Sequence, residues 1–386
     1  MKTFWKVLIP AVLSAIIASP SARAQKSVDV QSLESFVAAS QQARIETGHL
    51  IGSHVRVYQH GKEVLDRCYG TKGIGQAALA GDELYRIASM TKPVTGLALL
   101  IEQERGHLNI YDDVADYLPE FSQMRLKDGT LAENKIKIYQ LVSHSSGIGD
   151  ATIDESVAAA FNLDSAVAQY SRLPLNYDPG TTTAYSTGAF DVAARIIEKV
   201  SGMEYGEYLR KNIFDKLGMK DTTFEPGPEQ WDRMVTLFCR DDEGKLYNQE
   251  ADRRYVFGNY PCGYHAAGAG LASTTDDYFK FALMLYHGGK LPGHRRVIGK
   301  KALKQYWEPL AGAGSQRWGM GVRVVCAEGR TLPVGTYGWS GAYGTHFWID
   351  PVNDIVAIYM INQGFEGGAG SASSVEFEKD VMRSLE

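Results

Sequence analysis

Ser89 and Lys92 stand three residues apart in RIASMTKPVTGLALLIEQERG, Arg86 to Gly106, where an apolar helical run begins. Residues at that spacing share a helix face, so the lysine nitrogen can reach the serine oxygen. The first amides of a helix lack internal partners and carry positive partial charge, which favours negative charge on a serine oxygen placed there. Pro93 fits the first turn, where a missing amide costs little. Together these features turn an ordinary hydroxyl into a nucleophile. A helix cap followed by a solvated lysine has the same pattern, so other residues must decide. Tyr185, in PGTTTAYSTGAFDVAARIIEKVSG, precedes a second helix. A phenol beside a lysine gives up its proton more easily than a free one, and could relay the serine proton to a leaving group. A half-buried tyrosine with a satisfied hydroxyl is the alternative. Trp339-Ser340-Gly341 lies in the glycine-broken pattern TYGWSGAYGTHFWID. Glycines inside a strand mark a bulge or a close approach of backbone or ligand. An amide there, with that of Ser89, could form an oxyanion hole.

Three distant segments must therefore meet, and the elements around them indicate how. Val30 to Thr47 reads as an amphipathic helix. HVRVYQHGKEVLDRCYG reads as a β-hairpin turning at His60-Gly61-Lys62. The helix after Ser89 runs to about Arg105 and stops at Gly106. Helical patterns follow from Leu108 to about Gly227, in IKIYQLVSHSS, DESVAAAFNLDSAVAQYSRL, TGAFDVAARIIEKVSG and YGEYLRKNIFDKLGM. Residues Glu229 to Gly263 are polar, aromatic and aperiodic, and read as a long loop. A helix over Thr275 to Gly288 precedes three β runs, WGMGVRVVCAEG, TYGWSGAYGTHFWID and DIVAIYMINQ, and a last helix spans about Ser373 to Leu385. Strands at both ends with helices between predict an α+β fold. One antiparallel sheet, flanked by N- and C-terminal helices, would be built from residues 25–107 and 265–386. A mostly helical domain with its loop, residues 108–264, would be inserted between. A cleft at the seam is the natural place for a site.

The first 24 residues have Lys2 and Lys6, an apolar run from Val7 to Ala18 and Ala22-Arg23-Ala24 before Gln25. This is the layout of a secretory signal peptide. The run is too short for a spanning helix, which needs roughly 18 or more apolar residues. The expectation is a secreted, periplasmic protein without a stable membrane anchor. The chain of 386 residues has 40 basic and 45 acidic side chains, a net charge of -5. Without the leader's three cations, 37 basic side chains face 45 acidic ones, a net of -8. With no basic run, nucleic acid is a poor partner. No cysteine or histidine cluster has metal-ligand spacing, so neither metal nor other cofactor is expected. Cys68, Cys239, Cys262 and Cys326 allow three disulfide pairings. Cys239 and Cys262, flanking one loop-like region, are the favoured pair.

From Ile45 to Ile361 the chain resembles the serine β-lactamase and penicillin-binding superfamily. The likeness is to the class C β-lactamase-like branch and, within it, to the family VIII carboxylesterases. SMTK resembles the S-x-x-K motif, and DVADYLPEF follows it. LVSHSSGI, PGTTTAYST, LGMKDTTF and AGAGLASTTDD resemble further family segments in the family's order, and Trp339-Ser340-Gly341 stands where β-lactamases have K-T-G. The resemblance implies Ser89 as acyl-forming nucleophile, Lys92 and Tyr185 as base and proton relay, and the Ser89 and Ala342 amides as oxyanion hole. Thr187, Trp339, Ser340 and Gly341 become substrate-binding residues. His144 matches a family position and is read as structural. Two departures set direction. Thr187 replaces an asparagine that orients a substrate amide. Trp339 replaces a lysine that holds a substrate carboxylate, and puts an apolar wall there. Both resemble the esterase branch.

The expected function is thus a serine hydrolase of small-molecule esters working through an acyl-enzyme. The alternatives on the same site are a β-lactamase, a D-amino-acid peptidase or amidase, or an acyltransferase. A non-catalytic binding or sensor protein on the same scaffold is the rival from another class. Tyr255, Phe257, Tyr260 and Tyr264 are candidates for shaping an acyl or alcohol pocket.

Overall fold

Asp29 starts the first helix by accepting the Ser32 amide at 2.7 Å, a side-chain cap that replaces a missing intrahelical bond. A computed structural model describes residues 26–150, 162–248, 264–364 and 371–386. The proposed leader, Cys262, Tyr255, Phe257, Tyr260 and the DESVAAAF part of one expected helix lie outside the described residues.

Helix α1 (Val30–Glu46) is followed by the expected hairpin, β1 (Gly52–Gln59) and β2 (Lys62–Gly70). Its turn residues His60 and Gly61 both have positive φ, 48° and 84°, the turn geometry that matches strand twist. Strand β3 (Leu84–Arg86) leads through a 3-10 turn, Ala88–Met90, into α2 (Thr91–Glu104). The middle of the chain carries α3 (Ile138–Val142), α4 (Leu163–Tyr170), α5 (Gly188–Ser201) and α6 (Tyr205–Leu209). A π-helical turn, Arg210–Phe214, joins α6 to α7 (Asp215–Leu217).

The stretch read as loop from Glu229 is partly structured. It holds most of α8 (Pro228–Asp232) and a small hairpin, β4 (Phe238–Arg240) with β5 (Leu246–Asn248). Three-residue strands are too short to show periodicity, which is why the pattern hid them. Next come β6 (Ala272–Thr274), paired with β3, then α9 (Thr275–Tyr286) and α10 (Lys300–Leu303). The three expected β runs resolve into five strands. These are β7 (Gln316–Trp318), β8 (Arg323–Val325), β9 (Tyr337–Ser340), β10 (His346–Asp350) and β11 (Ile355–Met360). Glycine-rich turns split the first two runs into hairpins. Helix α11 (Ala372–Arg383) closes the chain.

Seven strands form one antiparallel sheet in the order β2-β1-β11-β10-β9-β8-β7. The expected α+β fold is observed, with strands from both ends of the chain in the same sheet. On one face α1 and α11 pack over Val55, Val57, Trp348 and Tyr359. On the other face Phe347, Ile349, Val356 and Ile358 belong to a larger core that includes α2 and α9 and continues into Val192, Ile196 and Leu209 of the inserted helices. Burial on both faces explains the unbroken apolar sequence of β11. It also sets α2 between the sheet and α5.

Candidate active site

Ser89 sits in the 3-10 turn just before α2 rather than within the α-helix. Ala88 before it has φ 43°, a left-handed value for a non-glycine residue, the kind of local strain that persists only where surroundings enforce it. Those surroundings are visible. The Ile87 amide donates to Leu271 O at 3.0 Å, Tyr278 Oη donates to Met90 O at 2.8 Å, and Thr345 Oγ1 donates to Ile87 O at 3.2 Å.

The structure brings Ser89, Lys92 and Tyr185 together. Lys92 Nζ is 3.1 Å from Ser89 Oγ, and Tyr185 Oη is 2.7 Å from the same oxygen. Lys92 is fully buried, and its nitrogen also donates to Gly268 O at 2.7 Å and Thr187 Oγ1 at 3.3 Å. Tyr185 is half exposed, so the phenol faces solvent while the lysine faces protein. The ammonium lies 4.7 Å from the Tyr185 ring centroid.

Aromatic side chains hold that phenol in place. The His144 ring lies 4.4 Å from the Tyr185 ring, Trp339 5.8 Å and Trp318 6.1 Å. His144 is buried, and its Nδ1 accepts the Ser186 amide at 3.1 Å. Burial, reinforced by the charge of Lys92, drives its pKa well below the ordinary imidazole value. It is therefore a neutral ring that packs behind Tyr185 and ties the residue after it.

Thr187 stands at the N-terminal end of α5. The Asp150 carboxylate accepts the Thr187 and Gly188 amides at 2.6 and 2.9 Å, which satisfies the helix end. Behind Lys92 a second carboxylate, Asp191, accepts the Ala267 amide at 2.8 Å and hydrogen bonds from Tyr264 and Tyr170. This holds the 267–268 backbone whose carbonyl receives Lys92. Tyr264 is a buried structural partner of Asp191. Neither Asp150 nor Asp191 was singled out from the sequence. The only signal is an acid near the start of α5, which a surface helix shows equally often.

Trp339, Ser340 and Gly341 divide by face. Trp339 is paired with Phe347 across the sheet and lies on the Ser89 side, its ring 4.6 Å from Trp318. Ser340 is paired with His346, and its hydroxyl bonds His346 Nδ1 at 2.7 Å while His346 Nε2 contacts Glu378 at 3.0 Å. Its side chain thus points to the α11 side, away from Ser89. Gly341 lies against the Ser89 turn: a Cβ there would come within 2.3 Å of Ile87 O, so only glycine lets the two backbones touch. The next residue, Ala342, is exposed, and its amide donates to no group among the described residues. Among those residues no cluster of His, Cys, Asp or Glu could hold a metal ion, and no helix is long and apolar enough to cross a membrane. Cys68 and Cys326 form no disulfide, and Cys239 lies on β4.

Comparison with known proteins places the chain and its fold. The family model described as Beta-lactamase matches residues 35–375. Esterase EstB of Burkholderia gladioli is 26% identical over 380 residues, covering 89% of this chain and 94% of that protein. Among solved structures, EstCE1, described as a hydrolase with promiscuous acyltransferase activity, superposes with a TM-score of 0.77 at 22% identity, covering 92% of this chain and 99% of that one. A family VIII carboxylesterase superposes with a TM-score of 0.74 at 19% identity, covering 92% and 98%.

Proposed function

Because the chain belongs to the Beta-lactamase family and is a serine hydrolase of that superfamily, we propose that it cleaves small-molecule carboxylic esters through an acyl-enzyme on Ser89. The observation that carries the reading is the placement of one hydroxyl between Lys92 Nζ at 3.1 Å and Tyr185 Oη at 2.7 Å. In this reading Tyr185 first gives its own proton to water; Ser89 Oγ then attacks the ester carbonyl as its proton passes to the Tyr185 phenolate oxygen. The C–O bond to the alcohol breaks, and the alcohol leaves with that proton. Water then attacks the acyl-enzyme, gives a proton to Tyr185, and releases the acid as Ser89 regains its hydrogen.

Lys92 supports this assignment of roles. Its three ammonium hydrogens match three neutral acceptors, Ser89 Oγ, Thr187 Oγ1 and Gly268 O. A cation so held stabilises negative charge on the serine and phenol oxygens. The free Ala342 amide, on the turn that Gly341 presses against Ile87, is the second oxyanion donor with that of Ser89. Trp339 gives the cleft an aromatic wall where a carboxylate-binding cation would otherwise stand, which favours ester over β-lactam or D-Ala-D-Ala substrates.

A panel of nitrophenyl esters with wild type and Ser89→Ala tests the nucleophile. Loss of turnover by at least roughly 10³-fold is expected; equal turnover by both proteins removes Ser89 from its role. A chromogenic cephalosporin and a D-Ala-D-Ala peptide, compared with short esters by kcat/KM, separate the ester reading from the β-lactamase and peptidase readings. Added alcohol acceptors reveal acyl transfer. We further propose that the protein is secreted to the periplasm after cleavage before Gln25, and N-terminal sequencing of the exported protein checks that boundary.

A further inference from the structure

On the sheet face covered by α11, the side chains around Gly338 leave a cavity of about 310 Å³. Its origin is in the register. Arg323 on β8 and Trp348 on β10 both pair with Gly338 on β9, so a residue without a side chain separates a guanidinium from an indole on one face. A Cβ at Gly338 would come within 2.1 Å of Phe347 O, so the backbone itself keeps this gap open. Arg330, Leu332, Thr336, Trp339, His346 and Glu378 are among the other residues of the wall. None of Ser89, Lys92 and Tyr185 lines it.

The polar groups of this cavity are not balanced within the protein. Arg323 makes no salt bridge among the described residues; its guanidinium carbon lies 5.1 Å from the Trp339 ring centroid. Burial and the like charge of Arg330 hold its pKa below the ordinary guanidinium value, against the opposing charge of Glu378, which makes no ion pair with it. Arg330 Nη1 donates to Ser315 Oγ at 3.3 Å. The one carboxylate in the wall, Glu378, is engaged by His346 Nε2 at 3.0 Å. Trp348 Nε1 and Thr336 Oγ1, on residues each 1% exposed, have no hydrogen-bond partner among the described residues. Buried polar groups are nearly always partnered, and a desolvated cation without a counter-anion is costly. A cation, an indole N–H and a hydroxyl in one cavity call for an acceptor that carries negative charge.

We propose that this cavity binds a small organic carboxylate with an apolar body. Arg323, Trp348 Nε1 and Thr336 Oγ1 hold the carboxylate, and Leu332 and the Trp348 ring flank the carbon skeleton. A planar guanidinium suits a carboxylate better than a point cation does, and the volume lies at the lower end of the range for small-molecule sites. Trp339 borders both this cavity and the catalytic groups, but ligand binding here does not depend on ester cleavage: the cavity would bind its ligand even if the protein failed to turn over any ester.

Benzoate is the probe, with benzamide as its uncharged counterpart, titrated calorimetrically into wild type, Arg323→Gln, Thr336→Val and Tyr185→Phe. The expected result is one benzoate per chain, bound at least tenfold more tightly than benzamide, with affinity tenfold or more weaker in Arg323→Gln. The milder Thr336→Val, which keeps shape and removes the hydroxyl, should weaken binding severalfold and decides the matter if Arg323→Gln does not fold. Tyr185→Phe should bind as wild type does. Equal affinity for benzoate and benzamide, no binding by folded wild type at millimolar benzoate, undiminished binding in a folded Arg323→Gln or in Thr336→Val, or loss of binding in Tyr185→Phe would each overturn the proposal. The last outcome would place the anion in the catalytic cleft.

Discussion

The division of labour between Lys92 and Tyr185 rests on their opposite environments. Lys92 is enclosed and, among the described residues, donates only to neutral oxygens, whereas Tyr185 is half exposed and can exchange its proton with water. Tyr185→Phe should therefore lower kcat roughly 10²–10⁴-fold with little change in thermal stability, because the hydroxyl it loses touches only Ser89 among the described residues. Esterase activity at the wild-type level in Tyr185→Phe would take the phenol out of the proton path. Asp191 gives a pH signature. Burial pushes its carboxyl up to about 7, against the Tyr264 and Ala267 hydrogen bonds that favour the ionised form. An acid whose pKa is higher folded than unfolded binds more protons in the native state between those values. Its contribution to stability is thus present below about 4 and is lost as pH rises toward 7. Compared with Asp191→Asn, wild type should lose ground over that window by no more than about 4 kcal/mol. Parallel melting curves from pH 4 to 7 would refute the assignment. The Ser89–Lys92 pair was legible because both residues lie on one turn, and Tyr185 because its loop belongs to a family pattern. Asp191 was not, since its role exists only once the 267–268 backbone crosses it.

At the scale of elements, three pieces of local geometry aim the site: the turn before α2, the start of α5 and the turn after β9. Asp150 fastens the second by accepting the amides of Thr187 and Gly188. Asp150→Ala should cost about 1 kcal/mol of stability, the usual loss for a helix cap. It should also lower kcat, because Thr187 loses its fixed position against Lys92. A variant less stable by that amount but unchanged in kcat would show that the Thr187 contact is incidental. The third piece depends on Gly341. Gly341→Ala would drive a methyl group into Ile87 O and Thr345 Oγ1, and overpacking of this kind costs about 1–3 kcal/mol. Activity should fall further than melting temperature, since the displaced strand end carries the Ala342 amide; proportionate losses of both would refute that link. Long helices and the β1–β2 hairpin were evident from periodicity and turn residues. The short strands β3 to β6 were not, because three residues contain too little alternation to read, while β8 and the end of β7 were read as one run.

On the scale of the whole molecule, one sheet separates two kinds of interior. The face toward α2 shares its core with the inserted helices and supports the catalytic groups. The face toward α1 and α11 is a smaller core around Trp348, Tyr359 and Phe377. Phe377 is fully buried, 5.3 Å from each of those two rings. Phe377→Ala should destabilise the protein by about 3–5 kcal/mol, while kcat/KM of the folded fraction stays near wild type because the deleted ring lies across the sheet from Ser89. A matching collapse of kcat/KM below the melting transition would show that the two faces are mechanically coupled. The linear chain by itself determined the family motifs, the order of the main elements, the α+β class and the candidate nucleophile with its neighbouring amine. Those features depend on local spacing and on residue types, which sequence records directly. Tertiary structure alone decided that Ser340 faces α11 while Trp339 faces Ser89, that Asp191 and Tyr264 brace the strand of backbone behind Lys92, and that Gly338 leaves a cationic cavity behind the sheet. Each of these arises from strand register and close packing between segments far apart in the chain, where a one-residue slip would reverse every side chain.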